Sequence, residues 1–599
     1  MRPYQLLPFP APAVFDPGEK EPDFFYNNFV KPFIPDMLQM MDTGLHIDQD
    51  AVEDLRVVIG EVLQSVAERL EANPLVQRFQ EYRLPAAQQA HKEKCTQAVR
   101  TVDYYLRDFN PADMTHRTWV VNTYLIDLGK SSDMQEKWPV RQLKKYNEYL
   151  QDEFLEKIIA KRDLAFNTWA IKGMRNLAEY KLELWNRPRY EKAEEEVVLD
   201  PFNPGSTKQV RQFFEMLNIA PLATSKDTGE PSWGRDQIEE LLAMTSDAEL
   251  KDVLLAFVDA SYSGIIKTNF LKAFDTFTID GVLHGNIKLF GAKSFRNTSN
   301  RPNLFNAPST GSIYAKPLKR CFRASDGRII YAADLAALED RVMANLSKDP
   351  NKLALFLENL DGHSMSATYY FRQRVEELIG SYTDNKAASR LLKQLVDDKN
   401  KKAGEVRQDS KPVSFGLAYG AFPPKVAATI KSELSEGERI FNIYHHELYP
   451  GITDYRENYV LNTARQQGYI HLGLGCRMYT KDPDQAIRTL ANGTVQFWSI
   501  LTLIAINEFN HRIREAQLED EVKVISSIYD SVYTENVKDP EILKWVNDNL
   551  IEVMCVQYLE DEIIHNEAQG EIGPNWADLH SVPNNASVDE IRQIMEKAI

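Results

Sequence analysis

The chain has 599 residues, of which 87 are acidic and 70 basic, so its formal net charge is −17. Hydrophobic residues make up 43% and charged residues 26%, which is typical of a globular protein and excludes a disordered chain, a collagen or a coiled-coil array. No continuous apolar run reaches 18 residues, so no membrane span and no membrane partner are predicted. The four cysteines form no CxxC pair and argue against a zinc site, whereas DNA binding stays open because it requires only a basic surface.

The first 27 residues predict an extended, proline-rich tail. Prolines interrupt every apolar stretch, at Pro3, Pro8, Pro10, Pro12 and Pro17. The segment is therefore not a secretory or transit signal, which predicts a cytoplasmic protein of a bacterium or a phage-infected cell. We interpret the tail as a solvated surface segment, with a strap for a partner protein as the alternative.

A long helix is predicted over residues 28–72, because apolar residues recur there at three- and four-residue steps. Asn73-Pro74 ends this pattern. The stretch from there to about residue 200 is helix-like, charged and rich in aromatic residues. A proline- and glycine-containing turn follows, and Ser206 is positioned to cap the next helix.

Two β signals each lead to an aspartate. The apolar run 328–333 precedes Asp334, and the runs 522–528 and 532–537 flank Tyr529-Asp530-Ser531 as two strands around a tight turn. Carboxylates from two strands at one sheet edge would suit a pair of Mg²⁺ ions. For Asp334 alone, the alternative is a cap of the following helix.

Four side chains recur at four-residue steps and therefore share one helix face: Arg407, Lys411, Phe415 and Tyr419. Two cations at the N-terminal end of a helix favour an anion, and the aromatic rings beyond them can stack on a base. This pattern predicts a nucleoside triphosphate site and places Pro412 in the first helical turn, where a proline costs little.

A second polar helix face carries Arg488, Asn492 and Gln496, again at four-residue steps. Such side chains could contact minor-groove acceptors of a duplex. The alternative is an ordinary solvated helix face.

With these residues assembled, the sequence resembles the family A DNA polymerases. IIYAADLAALEDRV resembles motif A of that family, RQDSKPVSFGLAYG motif B and SSIYDSVYTEN motif C. Further matches follow in the family's order over about residues 28–72 and 198–599: IPDMLQMMDTGLHID, NPGSTKQV, RNTSNRPNLFNAP, DGHS, ARQQGYIHLGLGCRMY and GPNWADLH. An ordered set of motifs is far more specific than any single one.

The resemblance implies a mixed α/β (α+β) fold, the right-hand polymerase fold, with an antiparallel palm sheet and mostly helical fingers and thumb. The predicted parts are a proline-rich tail (1–27), a thumb (28–270) with a large helical insertion at about 74–200, a first palm segment (271–345), fingers (346–485) and a second palm segment (486–599).

The resemblance also implies the reaction: template-directed, primer-dependent 5′–3′ addition of dNMP from dNTP to a primer 3′-OH. The cofactor would be two Mg²⁺ ions, with Mn²⁺ as an alternative. The implied metal-binding set is Asp334, Asp530 and Leu335, and Asp334, Asp530 and Lys411 would be catalytic, with Lys411 a proton donor to pyrophosphate.

Nucleotide and DNA contacts follow from the same resemblance. Arg407, Lys411 and His363 match the triphosphate contacts. Glu339 matches the steric gate against a ribose 2′-OH, Phe415 would pack on the deoxyribose, and Tyr419 would stack near the templating base. The implied DNA-binding residues are Arg296, Arg341, Arg488, Asn492, Gln496 and Tyr529.

The sequence departs from the family pattern at several points. Tyr529-Asp530-Ser531 replaces the usual His-Asp-Glu, so a third carboxylate is missing, and Leu335-Ala336-Ala337 replaces Tyr-Ser-Gln. Asp340 stands where an apolar residue is usual.

Only about 30 residues precede the thumb, which predicts a phage-type member without an in-chain proofreading exonuclease. The expected partners are primer–template DNA and dNTP, with a separate 3′–5′ exonuclease and a processivity factor on the 74–200 insertion as further candidates. The alternative for the insertion is an enlarged thumb with its own core.

Two other functions stay open. A single-subunit RNA polymerase shares the palm and often has Ser after the motif C aspartate, but Glu339 and Phe415 both penalise ribose. A non-catalytic DNA-binding replication subunit is the third reading, and retention of both aspartates, Arg407 and Lys411 argues against it.

Overall fold

The computed structural model describes residues 25–106, 197–221, 223–224, 231–308, 313–430, 432–557, 559 and 561–598. The chain divides into two compact units, one comprising Met1–Gln64 and Ser261–Ile599 and the other Ser65–Ala260. The proline-rich tail up to residue 24 and residues 107–196 of the predicted insertion lie outside the described residues. The roles predicted for them therefore stay predictions.

The smaller unit is built around a cluster of phenylalanine rings, with neighbouring ring centroids 5.1 to 6.2 Å apart: Phe79, Phe202, Phe213, Phe214 and Phe257. Ser206 caps the helix Thr207–Met216 by accepting a hydrogen bond from the Gln209 amide, which confirms the predicted cap. The elements of this unit, including two that continue past its ends, are Gln49–Ala72, Pro74–Leu106, Thr207–Met216, Ala223–Thr224, Pro231–Ser232, Arg235–Met244 and Ala248–Ile265.

The predicted helix over 28–72 is wrong in one respect, because the structure divides it at Gly44. A helix Lys31–Thr43 ends there, a short strand Leu45–His46 pairs with Val282–Leu283, and the helix Gln49–Ala72 follows. Gly44 has φ +68°, and a Cβ on it would lie 2.6 Å from Val282 Cγ1. Only glycine fits this close approach, which is why the chain turns here.

The segment before Gly44 packs with the palm. Its Asp36 carboxylate is buried and accepts hydrogen bonds from Asn507 Nδ2 (2.7 Å) and Asn510 Nδ2 (2.9 Å). Phe33 and Met37 belong to the same hydrophobic core as the palm sheet. The helix Lys31–Thr43, which the prediction assigns to the thumb, therefore packs in the same hydrophobic core as the palm sheet.

The palm is a five-stranded antiparallel sheet, as expected for the right-hand polymerase fold. Its spatial order is Val522–Ile528, Ser531–Val537, Arg328–Leu335, Ala568–Gly573 and His580–Val582. One face packs on the helices Ile500–Ala516 and Pro540–Met554, for example through the hydrogen bond from Tyr331 Oη to Asn547 Oδ1 (2.6 Å). The opposite face opens onto a cavity of about 730 Å³ that Asp334, Ser531 and Tyr533 help to line.

A series of helices lies between the two palm segments, and all but the first begin within the range predicted for the fingers, 346–485. They are Leu338–Ser347, Pro350–Leu357, Gly362–Tyr370, Arg372–Ile379, Asn385–Asp397, Lys401–Ala418, Pro423–Thr429, Leu434–Ile443, Tyr444–Leu448, Pro450–Asp454, Tyr455–Leu461 and Asn462–Gln467. A hairpin of Tyr469–Gly473 and Cys476–Tyr479 follows.

The remaining elements of the larger unit surround the palm. They are Tyr26–Val30, Ile266–Leu271, Lys272–Phe277, Thr278–Ile279, Val282–Leu283, Asn286–Lys288, Thr298–Asn300, Leu304–Asn306, Ala315–Arg320, Pro483–Gln496, Phe497–Ser499 and Val588–Ala598.

One helical stretch, Pro483–Ala516, is long and apolar enough to cross a membrane by length and composition alone. Its most apolar 18-residue window is 78% buried inside the protein. The stretch is therefore explained as a core helix beneath the palm sheet.

Candidate active site

The palm sheet brings the two predicted metal-binding aspartates to one edge. Asp334 is the register partner of Ser531, the residue directly after Asp530. The Leu335 amide also donates a hydrogen bond to the Asp530 carbonyl oxygen (3.1 Å). Two side chains separated by almost 200 residues in sequence therefore end adjacent strands side by side.

A two-residue turn, Tyr529-Asp530, presents the motif C aspartate. Tyr529 has φ +55°, a left-handed conformation that costs a non-glycine residue about 1 kcal/mol. Three contacts hold it: Tyr529 Oη donates to the Phe305 carbonyl (3.2 Å), Thr502 Oγ1 donates to the Tyr529 carbonyl (3.1 Å), and the Arg296 guanidinium lies over the ring at 5.3 Å. These contacts fix the position of Asp530.

Both carboxyl groups are disfavoured as anions. Burial raises the pKa of Asp530 to about 6, repulsion from Asp334 adds to this effect, and Arg296 opposes it. Desolvation also raises the pKa of Asp334, against the hydrogen bond that Ser531 Oγ donates to Asp334 Oδ1. Two neighbouring carboxylates that lack enough positive charge fit a divalent cation, whose binding would relieve their repulsion.

The donor set for such cations is small. Within the described ranges no cluster of three or more His, Cys, Asp or Glu side chains exists that could hold a metal. The missing motif C glutamate is thus not replaced by another described carboxylate, and Leu335 could contribute only its main-chain carbonyl. The alternative role of Asp334 as a helix cap is not what the structure shows, because the N-cap of Leu338–Ser347 is Ala337.

Three residues predicted for different roles form one cluster beside the aspartates. Tyr419 Oη donates to Glu339 Oε2 (2.7 Å), and the Arg296 guanidinium forms an ion pair with Glu339 Oε1. Glu339 belongs to motif A and lies in the first turn of the helix Leu338–Ser347, and Tyr419 is the C-cap of the motif B helix. The predicted gate, template-stacking residue and one DNA contact therefore meet at a single point.

The predicted triphosphate residues also converge. His363 and Phe415 have ring centroids 5.7 Å apart, and Lys411 Nζ lies 6.0 Å from the Phe415 ring centroid. Burial lowers the pKa of His363, and the positive charges of Arg407 and Lys411 lower it further, against the opposing effect of Asp361, so the neutral imidazole is favoured. Phe415 itself is 46% exposed, which leaves its ring open to a ligand.

The predicted start of the motif B helix is wrong. The helix is Lys401–Ala418, and Asn400 caps it by accepting a hydrogen bond from the Ala403 amide (3.1 Å). Arg407 and Lys411 are therefore in the helix interior, and Pro412 is also internal. The N-terminal helix dipole does not act at these two cations, and their own charges must bind the anion.

The helix Pro483–Gln496 presents Arg488, Asn492 and Gln496 on one face, as predicted. The Arg488 stem packs on Gly420, where an added Cβ would lie 3.2 Å from Arg488 Cγ. Gly420 has φ +83° and directly follows the motif B helix. This polar face is thus next to the end of motif B, and Arg488 is exposed there.

Arg341 was predicted to contact DNA, and its surroundings contradict that role. Its side chain is only 9% exposed and donates to the carbonyl oxygens of Ala336 (2.8 Å) and His565 (2.6 Å). It also pairs with Glu567 Oε2 (2.7 Å) and lies over the Phe356 ring. Arg341 ties the motif A turn to the segment that leads into the strand Ala568–Gly573.

Two interactions were missed by the sequence reasoning. Asp340, the unusual polar residue of motif A, pairs with the buried Lys352 Nζ at 2.7 Å. Asp361 forms a two-point ion pair with Arg407. The sequence D-G-H-S around Asp361 carries the signal of a helix cap, but no local signal indicates a partner 46 residues away.

The comparisons with known proteins agree with this geometry. A model of DNA polymerase family A matches residues 174–578. DNA polymerase I of Pseudomonas aeruginosa is 26% identical over 419 residues, which cover 68% of this chain and 41% of that protein. The thermostable DNA polymerase I of Thermus filiformis is 26% identical over 293 residues, which cover 48% of this chain and 31% of that protein. The chain thus spans less than half the length of these curated relatives.

A solved structure supports the fold. It is the POL domain of Pol1 from M. smegmatis in complex with DNA primer-template and dNTP, and the match covers 92% of this chain and 70% of that one. The TM-score is 0.58, and at 18% identity this match speaks for the fold alone. Since the family model spans more than half of the sequence, this chain belongs to DNA polymerase family A.

Proposed function

We propose that this chain is a template-directed, primer-dependent DNA polymerase that adds dNMP from dNTP to a primer 3′-OH. The observation that carries the proposal is the meeting of Asp334 and Asp530 at one edge of the palm sheet, next to Arg296. Through Glu339 and Tyr419, Arg296 is connected to the end of the motif B helix, which carries Arg407 and Lys411. Phosphoryl transfer requires carboxylates that bind the metal ions and positively charged side chains that bind the phosphates.

We infer that Asp334, Asp530 and the Leu335 carbonyl hold two Mg²⁺ ions, for which Mn²⁺ could substitute. When bound, such ions lower the pKa of a hydroxyl nucleophile and neutralise charge on a leaving phosphate. The role of the chain is to fix the carboxylates, and the Ser531 hydroxyl helps by hydrogen-bonding to Asp334 Oδ1.

The nucleotide is held by side chains of motif B and of the helix Gly362–Tyr370. Arg407 and Lys411 supply positive charge to the triphosphate, and neutral His363 supplies a hydrogen-bond donor. Lys411 can return a proton to the pyrophosphate as it leaves. Phe415 offers an apolar ring to the sugar, and Glu339 is the residue proposed to exclude a 2′-OH.

Primer–template DNA is the proposed macromolecular substrate. Arg488, Asn492 and Gln496 make no hydrogen bond with other residues in the described part of the chain, so their polar groups are available to a duplex. Minor-groove acceptors are common to all base pairs, so contacts there hold any sequence. Arg296 and Tyr529 lie beside the aspartates, where the primer terminus must reach.

Other partners and the cellular setting remain proposals. These are a cytoplasmic, phage-related replication role, a separate 3′–5′ exonuclease and a processivity factor on the 74–200 insertion. Each rests on sequence reasoning alone.

Primer extension tests the function directly. The purified chain, a primer–template, Mg²⁺ and either dNTPs or rNTPs are incubated, and Asp334→Asn and Asp530→Asn are assayed beside wild type. Asp539→Asn is the matched control, because Asp539 is an N-cap beyond the far end of the motif C strand and asparagine caps equally well.

We expect template-dependent extension with dNTPs by wild type and the control, and none by the two site variants. Preferential use of rNTPs would instead identify an RNA polymerase. Absence of extension by wild type, with DNA binding intact, would favour the non-catalytic subunit.

A further inference from the structure

Asp361 and Arg407 form a side-on ion pair. Arg407 Nε donates to Asp361 Oδ1 (2.9 Å), and Arg407 Nη2 donates to Asp361 Oδ2 (2.7 Å). A guanidinium has five N–H donors in a rigid planar fork, and this pair uses two of them. Both N–H groups of Nη1 and one of Nη2 remain, and they point away from the carboxylate.

The Asp361 carboxylate is itself held in place. It is the N-cap of the helix Gly362–Tyr370, and Oδ1 accepts a hydrogen bond from the Ser364 amide (2.7 Å). Burial would raise the pKa of Asp361, but the hydrogen bonds from Arg407 and Ser364 outweigh it and lower the pKa to about 2. The group is therefore a fixed anion at every physiological pH.

The two helices that carry the pair are also joined by a serine. Ser410 Oγ lies 2.7 Å from the His363 carbonyl oxygen and 2.9 Å from the Arg407 carbonyl oxygen. This contact sets the distance between the start of one helix and the middle of the other. The orientation of the Arg407 side chain is thus determined before any ligand arrives.

We propose that Asp361 is a positioning residue for nucleotide binding, which fixes the Arg407 guanidinium so that its free edge receives the triphosphate. The inference rests on the proposed function and assigns a role to a residue outside the predicted site. Arg407 makes the ligand contact, and Asp361 acts only through Arg407.

Charge and orientation predict opposite effects when Asp361 is neutralised. Removing a negative charge from a site for a polyanion should tighten dNTP binding if only net charge matters. Releasing the guanidinium into several rotamers should weaken dNTP binding if orientation matters, because the ligand must then order the side chain. The sign of the change therefore separates the two explanations.

Asp361→Asn is the informative variant. Asparagine caps a helix as well as aspartate does, so the helix start is kept while the fixed anion is lost. Asp384→Asn is the matched control, because Asp384 caps the helix Asn385–Asp397 in the same way and makes no ion pair among the described residues. Arg407→Lys is the second variant, since an ammonium cannot form the side-on fork.

Binding is measured without turnover, by titrating the next correct dNTP into the protein on a dideoxy-terminated primer–template. We expect Asp361→Asn and Arg407→Lys each to weaken dNTP binding about tenfold, with primer–template affinity and the Asp384→Asn control unchanged. In an Arg407→Ala background, Asp361→Asn should add nothing, because the positioned group is already gone.

Three results would overturn the inference. Unchanged or tighter dNTP binding by Asp361→Asn would show that Asp361 acts on the nucleotide through its charge and does not position Arg407. A further loss in the Arg407→Ala background would mean that Asp361 acts through the helix itself. If Asp361→Asn does not fold, normal dNTP binding by Arg407→Lys would refute the role of the fork. A wild-type protein that binds no dNTP would contradict the proposed function instead.

Discussion

Asp530 is disfavoured as an anion in the folded palm, mainly by burial and further by repulsion from Asp334. Raising a carboxyl pKa from 3.8 to about 6 corresponds to about 3 kcal/mol of destabilisation when the group is charged in the folded protein. The substitution Asp530→Asn removes this charge and keeps the shape of the side chain. We therefore expect the metal-free variant to be more stable than the metal-free wild type at pH 8.

The pH dependence fixes the sign of the effect. A carboxyl whose pKa is raised on folding costs stability above the folded value, near pH 6, and the cost declines as the pH falls towards the unfolded value, near 4. The stability gap between variant and wild type should thus be full at pH 8, about two thirds of that at pH 5.5 and about one third at pH 4.5. Added Mg²⁺ should narrow the gap at pH 8, because a ligand of the folded state stabilises the wild type.

Thermal unfolding in EDTA over this pH range measures the gap, with Asp539→Asn as the control for a generic Asp-to-Asn change. The midpoint of Asp530→Asn should lie a few °C above wild type at pH 8. A midpoint at or below wild type, or a gap that does not change with pH, would show that the Asp530 charge does not destabilise the metal-free folded state.

Three further predictions concern neighbours of this site. Glu339→Ala should raise the ratio of rNTP to dNTP incorporation at least tenfold in single-nucleotide assays, because the carboxylate that fills the gate is lost; an unchanged ratio would exclude Glu339 as the gate. Asp340→Ala should destabilise the protein by about 3 kcal/mol in denaturant unfolding, because it leaves the buried cation of Lys352 unpaired. The control Asp409→Ala breaks only an exposed ion pair and should cost less than about 1 kcal/mol. Equal costs for the two variants would contradict this prediction. Arg341→Ala should lower stability by about 2 kcal/mol, because the carbonyl oxygens of Ala336 and His565 lose their donor, and should leave the DNA affinity of the folded fraction unchanged. A selective loss of DNA binding would restore the predicted DNA contact.

The strands that carry Asp334 and Asp530 could be predicted because each is a short apolar run that ends at a turn, a signal contained in a few adjacent residues. The pairing of those strands follows from long-range register, and only the family resemblance indicated it. The two strands were therefore predictable from local sequence, whereas their position side by side was predictable only from the topology of the family.

Other features depend on contacts that no local pattern contains. The break at Gly44 arises from a close approach of Val282, while the apolar spacing continues on both sides of the break. The start of the motif B helix was missed because the residues after Asn400 are mostly charged and show no apolar period. Arg341 was mistaken for a DNA contact because its burial depends on residues 565 and 567, more than 220 positions later.

We propose that Asp334 and Asp530 together hold two divalent cations. Electron paramagnetic resonance of Mn²⁺ bound to the complex with dideoxy-terminated primer–template and the next dNTP measures this directly, since two ions in such a site lie about 3.5–4 Å apart and couple magnetically. We predict two coupled Mn²⁺ ions per complex in wild type, and loss of the coupling in both Asp334→Asn and Asp530→Asn. Uncoupled ions in wild type, or coupling that survives either substitution, would contradict the claim.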